Sequence, residues 1–307
     1  MCRVLGYLGQ PVLLDPLLFQ ADNSLIRQTY APRMSTMLNL AGFGLLAWDS
    51  GSVDPSVPFS YRTTSVPVFD RNLKRLAQKL RPQAFIAHVR GVHYHTEVTV
   101  GEQNLHPFQF EGARLALAHN GELDRFVEMR YDLVEHIRPE WLRKIRGNTD
   151  TEWVYALFLS QLDDSGARAK PDDIARAVEG TFRTLRGVRA RLGIKNYSPV
   201  NLFISDGEMI VAVRFAFDFG CYPTDEGEIG EAMLSFMSLW YTCGRDYGRH
   251  DGEWKVIGGP FDASSIIVSS EPLSEDRATW LEVPEYSMLA ARLHDGVIRR
   301  DEFELDV

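Results

Sequence analysis

A cysteine stands second in the chain, in "MCRVLGYLG". Once Met1 is removed, the α-amine of Cys2 lies beside its own thiol. An amine with an ordinary pKa of about 8 can take the thiol proton, directly or through water, so such a residue is both nucleophile and base. A small residue in a first strand is the bland alternative. "AHNGE" (118–122) ends an apolar run in Asn120 and Gly121. Asn-Gly is the strongest short hairpin signal; it also sets a side-chain amide beside an unobstructed backbone N–H, the donor pair of an oxyanion hole. Arg90 closes "FIAHVR" and could pair with a carboxylate in bidentate fashion, or merely end a strand at the surface. Asp150 in "RGNTDTEW" (146–153) falls in the first turn of a helix, where the dipole favours an acid. Thr149 with Glu152 fits a capping box there, and an Asp in that place can equally hold a ligand ammonium.

Five histidines, His88, His93, His95, His106 and His119, raise the question of a metal. His93 and His95 would share one face of a strand. No cysteine or carboxylate joins them at a recognised zinc spacing, and His106-Pro107 reads as a turn, so no metal and no cofactor are expected. Cys221 and Cys243 are expected to be core or loop thiols without a role.

The elements that must position these residues follow from periodicity and turn chemistry. Compact apolar runs at 84–90 and 114–120 suit buried strands. Helical spacing predicts helices over 69–82, 149–162 and 171–192, and "DSGSVDPSVPFS" (49–60) reads as a surface loop. After residue 197 the pattern turns to strands at 200–207, 209–217, 264–270 and 286–300, with "SDGE" and "HDGV" as tight hairpins. Strands early, helices in the middle and strands again at the end predict antiparallel sheets covered by helices, an α+β layered domain. With no composition shift along the 307 residues, a single domain over 1–307 is expected.

The net charge of −9 argues against nucleic acid or an anionic membrane as a partner, since both need a basic face. Three cysteines at wide spacing do not make a disulfide framework and fit a reducing cytoplasm. No secretory signal is read at the start, and the longest apolar runs are strand-sized rather than membrane-spanning.

Taken in order, "MCRVLGYLG", "SLIRQTYAPR", "NLAGFG", "AHVR", "NLHPF", "AHNGE" and "GNTDTE" resemble the class II glutamine amidotransferases, which are N-terminal nucleophile hydrolases. The similarity continues weakly through "NLFISDG", "IIVSSEPL" and "WLEVP", and it is closest to short stand-alone members acting on γ-glutamyl compounds in ergothioneine biosynthesis or glutathione breakdown. The resemblance implies a four-layer αββα sandwich. It implies Cys2 as nucleophile with its freed α-amine as base, Asn120 and the Gly121 N–H as oxyanion hole, Arg90 on the α-carboxylate of a glutamyl substrate and Asp150 on its α-ammonium. The family usually carries an Asp where Ala41 stands here. The expected activity is cleavage of a γ-glutamyl amide to release glutamate, with a small γ-glutamyl molecule as ligand. A catalytically inactive γ-glutamyl binding module, an ammonia-supplying subunit with a protein partner, a metal-dependent hydrolase built on the histidines, and a homo-oligomer stay open as alternatives.

Overall fold

A computed structural model describes residues 2–92, 100–222 and 235–307. Among the described residues, seven strands make one antiparallel sheet: β1 (Arg3–Gly9), β2 (Phe43–Trp48), β3 (Phe59–Thr63), β4 (Ala84–Val89), β9 (Trp240–Gly244), β12 (Ser265–Ser269) and β13 (Leu281–Glu282). Their order is β13-β9-β12-β1-β4-β2-β3, which makes β1 and its neighbours central. The second sheet is formed by β5 (Ala116–Gly121), β6 (Ser198–Ser205), β7 (Met209–Arg214), β14 (Ser287–His294) and β15 (Val297–Glu304), in the order β15-β14-β7-β6-β5, with the short β8 (Ala216–Phe217) on β6. A separate hairpin pairs β10 (Asp246–His250) with β11 (Glu253–Ile257).

Side chains alternate across a strand, and here both faces of the central strands are apolar. Val4 and Leu8 of β1 point to the layer between the sheets, with Leu46, Trp48 and Ile86 opposite Ala118, Phe203, Ile210 and Ala212. Leu5 and Tyr7 point the other way, into a layer closed by Leu17, Leu18, Leu25 and Leu73. On the far side of the second sheet, Leu202, Ile204, Val211 and Val213 pack against α4 (Asp150–Gln161) and α5 (Pro171–Arg191). Each fully buried side chain of this kind contributes roughly 1.5–3 kcal/mol, so the α+β four-layer αββα sandwich rests on three stacked apolar layers. The sheets come very close at β1: a Cβ on Gly6 would lie 2.4 Å from Ile210 Cδ1. The start of β1 meets the end of β5 through Ser270, whose hydroxyl accepts from both Val4 and Asn120.

The local signals predict several elements well. α5 starts with Pro171, carries Asp172 and Asp173 in its first turn and Arg189 and Arg191 in its last, and ends before Gly193 at φ +66°. The "HDGV" turn has Asp295 and Gly296 at φ +49° and +75°, the pair of positive values that a tight hairpin needs. Elsewhere the structure differs. The helix expected over 69–82 is only α1 (Arg71–Ala77), started by the Asp70 carboxylate accepting the Asn72 and Leu73 N–H groups, both at 3.0 Å. Two helices not expected, α2 (Phe126–Leu133) and α3 (Pro139–Leu142), follow β5. The loop at 49–60 ends early, because Phe59 begins β3.

Asn120–Gly121 forms no hairpin turn. Both residues lie within β5, paired with Asn201 and Val200, and the chain leaves toward α2. Tertiary pairing with β6, far along the chain, overrides the local turn preference. The capping box at 149–152 is also absent. Thr149 precedes α4 without a side-chain cap, and the Glu152 carboxylate instead accepts the Arg146 and Gly147 N–H groups at 2.8 and 2.6 Å. His93 and His95 lie outside the described residues. Cys221 is exposed and Cys243 half-buried. Among the described residues, no helix is long and apolar enough to cross a membrane, and no group of His, Cys, Asp and Glu could hold a metal ion.

Candidate active site

Cys2 immediately precedes β1 and is 8% exposed. The antiparallel register of β1 and β4 pairs Arg3 with Val89, and continued by one step it sets Cys2 opposite Arg90. The thiol reaches just past that residue: Gly91 N–H donates to Sγ at 3.4 Å, and Sγ lies 3.6 Å from Gly91 O. Arg90 is therefore no surface strand end, being 7% exposed. Its backbone is clamped by residues 41–42, with the Ala41 N–H donating to Arg90 O and the Arg90 N–H to Gly42 O, each at 2.9 Å. Burial lowers the pKa of the Arg90 guanidinium, and the Cys2 thiol and Asp150 carboxylate pull it back up. A guanidinium stays charged under such opposing influences. One cation thus stands within electrostatic reach of a thiol and of a carboxylate.

Asn120 reaches the first sheet from the second. Its Nδ2 donates to Ser270 Oγ at 3.1 Å, and the same hydroxyl accepts the Val4 N–H at 3.0 Å, two residues from Cys2. The amide nitrogen carries two N–H bonds, so one remains for another acceptor. Gly121 needs to be glycine because a Cβ there would lie 1.9 Å from Pro199 O and 2.5 Å from His119 Nε2. Backbone donors alternate along a strand. Leu117 N–H points away from β6 to Phe108 O, whereas Glu122 N–H points to Pro199 O on the β6 side. Gly121, in step with Leu117, therefore turns its N–H to the open side of β5.

Asp150 begins α4 and binds back to the end of β5. Its Oδ2 accepts the Leu123 N–H at 2.8 Å, and its Oδ1 accepts the Thr151 N–H at 2.7 Å. His119 Nδ1 lies 3.0 Å from Thr151 Oγ1, which lies 3.2 Å from Asp150 Oδ1. The carboxylate is held by three donors in a fixed direction, and the positive end of α4 favours its charge. Beyond it, burial and then the neighbouring Asp150 carboxylate push the Glu122 carboxyl up to about 7. That residue is exposed in part, so the rise reflects crowding around the carboxyl rather than enclosure of the whole side chain.

Three of the histidines are buried around these groups: His88 and His106 stack between the sheets, and His119 turns its ring to Thr151 and Asp150. His88 and His106 have ring centroids 4.2 Å apart, and His106 Nδ1 donates to His119 O at 3.1 Å. Burial lowers the pKa of all three, that of His88 to about 3; the Arg90 charge acts in the same sense on His88 and His106, whereas the Asp150 carboxylate opposes the shift at His119. The His88 and His106 rings fill the space between β4 and β5. Sequence reasoning did not single out Ser270, which holds Asn120, nor Thr151, which bridges His119 and Asp150. The only local signal for Ser270 was a polar run, "SSE", closing an apolar strand.

With this geometry in hand, the relatives can be compared. A family model described as "Glutamine amidotransferases class-II" matches residues 41–216, more than half the chain. The probable glutamine amidotransferase DUG3 of Saccharomyces cerevisiae is 29% identical over 316 aligned residues, covering 95% of this chain and 82% of that protein. The gamma-glutamyl-hercynylcysteine sulfoxide hydrolase of Mycobacterium tuberculosis is 33% identical over 132 residues, which is 41% of this chain and about half, 52%, of that protein. Among solved structures, a glutamine aminotransferase class-II domain protein from Silicibacter pomeroyi superposes with a TM-score of 0.59 at 20% identity, covering 98% of this chain and 99% of that one. The glutamine phosphoribosylpyrophosphate amidotransferase of B. subtilis gives 0.53 at 18% identity, covering all of this chain and 50% of that one. These neighbours share the layered fold. The protein belongs to the class II glutamine amidotransferases.

Proposed function

We propose that this protein hydrolyses a γ-glutamyl amide through a thioester on Cys2. The observation that carries the reading is the gathering of the Cys2 thiol at the Gly91 backbone, the buried Arg90 just before it, and the end of β5, where Asn120 reaches the first sheet and the Asp150 carboxylate is held by the Leu123 N–H. A glutamyl group presents an α-carboxylate, an α-ammonium and a γ-carbonyl, and a buried guanidinium, an oriented carboxylate and an Asn/Gly donor pair complement all three. The mycobacterial relative, a gamma-glutamyl-hercynylcysteine sulfoxide hydrolase, supports the same class of substrate.

In this mechanism Met1 is removed and the Cys2 amine takes the thiol proton. The thiolate attacks the γ-carbonyl, a C–S bond forms, and the oxyanion is received by Asn120 Nδ2 and the Gly121 N–H. The protonated amine gives its proton to the leaving nitrogen as the C–N bond breaks. Water then attacks the thioester under the same amine base, releasing glutamate and restoring the thiol. Arg90 and Asp150 bind the α-carboxylate and α-ammonium throughout. The site needs no cofactor in this scheme.

The test is the intact mass of the purified chain before and after exposure to a glutamine-like electrophile, together with glutamate release from glutamine and γ-glutamyl peptides. Loss of Met1, a single adduct abolished by Cys2→Ala and steady glutamate release support the hydrolase. Turnover that requires a second protein would make the chain an ammonia-supplying subunit. Substrate protection against unfolding with no adduct and no turnover would refute the enzyme reading in favour of a binding module.

A further inference from the structure

Cys2 stands ahead of the strand ladder, whose first paired residue is Arg3. Residues at a chain end fray unless tied down. Its thiol meets the described structure at the Gly91 backbone, at 3.4–3.6 Å. The firmer hold is on its carbonyl, which accepts Arg3 Nη1 at 2.9 Å. Arg3 in turn is fixed by Glu271, whose Oε1 accepts Arg3 Nε at 2.7 Å, with both side chains withdrawn from solvent. The other oxygen of Glu271 accepts the Arg33 N–H at 2.8 Å and Asn23 Nδ2 at 3.2 Å. Asn23 is itself anchored by donating Nδ2 to Pro272 O at 2.8 Å.

A fully buried carboxylate is costly to desolvate, and an apolar pair of equal volume often stabilises a core as well or better. Stability alone therefore gives little reason for this ion pair next to a nucleophile. We propose that Glu271 is a positioning residue for Cys2: by holding Arg3, it fixes the Cys2 carbonyl and so the direction of the thiol and the amine. The proposal rests on Cys2 being the nucleophile. Misplacing a reacting group by about an ångström can cost on the order of a hundredfold in rate without weakening the contacts that bind substrate.

The test measures alkylation of Cys2 by a glutamine-like chloroketone, resolved into the saturating rate and the half-saturating concentration, for the full chain, Glu271→Gln and Arg3→Lys. Glu271→Gln keeps the shape and removes the charge. Arg3→Lys keeps the charge but loses the planar fork whose Nε and Nη1 hold Glu271 and the Cys2 carbonyl at fixed positions. The expected result in both is a saturating rate lower by roughly ten- to a hundredfold with little change in half-saturation, because Arg90 and Asp150 are untouched. A variant that is merely loosened would show fewer labelled molecules, each reacting at the wild-type rate. That outcome, a wild-type saturating rate in either folded variant, or failure of both to fold would overturn the positioning role. A wild-type chain that takes no label at Cys2 would instead overturn the hydrolase reading, and the positioning role with it.

Discussion

His88 offers a quantitative test of how the site is supported. Its ring is fully buried, and neither nitrogen has a hydrogen-bond partner of acceptable geometry among the described residues. Burial, aided by Arg90 and His119 and weakly opposed by the His119 carbonyl, takes its pKa from 6.5 to about 3. The unfolded chain therefore binds a proton near pH 6.5 that the folded chain refuses. The stabilisation due to the neutral ring is complete above that pH and is lost as pH falls toward 3. Integrated from pH 7 to pH 5, the difference for this one ring is about 2 kcal/mol. His106 and His119 are shifted in the same direction, so the wild type should lose more than that. His88→Phe keeps an aromatic ring against His106, forfeits no well-formed hydrogen bond and removes one titrating group. Urea unfolding followed by tryptophan fluorescence at the two pH values should show the variant losing about 2 kcal/mol less than wild type on acidification. Equal losses in the two proteins would refute the account of His88 as a neutral ring packed beside Val4, its partner in the β1–β4 register.

Three further outcomes concern the proposed chemistry. Asn120→Ala should keep the fold yet lower turnover on the order of a hundredfold or more, and near wild-type glutamate release would remove the amide from the oxyanion hole. Asp150→Asn preserves an acceptor for the Leu123 N–H but loses the charge. Because a hydrogen bond to a charged group contributes about 1.5–3 kcal/mol, kcat/KM for a γ-glutamyl substrate should fall by roughly ten- to a hundredfold, and an unchanged value would deny it the ammonium. Gly121→Ala puts a methyl group 1.9 Å from Pro199 O, a backbone atom that cannot swing aside. It should cost about 1–3 kcal/mol in thermal unfolding as well as activity, and a fully stable variant would show that β5 and β6 can separate at that point.

Much of the molecule was legible from local order. The lengths of α4 and α5, the Asp295–Gly296 hairpin and the alternating strands after residue 197 follow from contacts within a few residues, which periodicity and turn chemistry report directly. The family was legible too, because seven short motifs occur in one order. The position of Cys2 raised the thiol chemistry but left a small residue in a first strand as an equal alternative.

What local order could not settle depends on partners far along the chain. Asn-Gly reads as a turn, yet β6 extends its pairing through Gly121 and leaves the two residues at a strand end, the Gly121 N–H on the open side and the Asn120 amide reaching Ser270 of the first sheet. Thr149 and Glu152 have the spacing of a cap, but the Arg146 and Gly147 N–H groups lie closer to the Glu152 carboxylate. Arg90 reads as a surface residue until β1 and residues 41–42 close over it. Arg3 and Glu271 are 268 residues apart and become partners because β12 lies beside β1 in the sheet. Residue types and their order thus determined the chemistry available, the helices and the turns. Only the stacking of two sheets, driven by the burial of their apolar faces, decided which polar groups would be sealed together around Cys2.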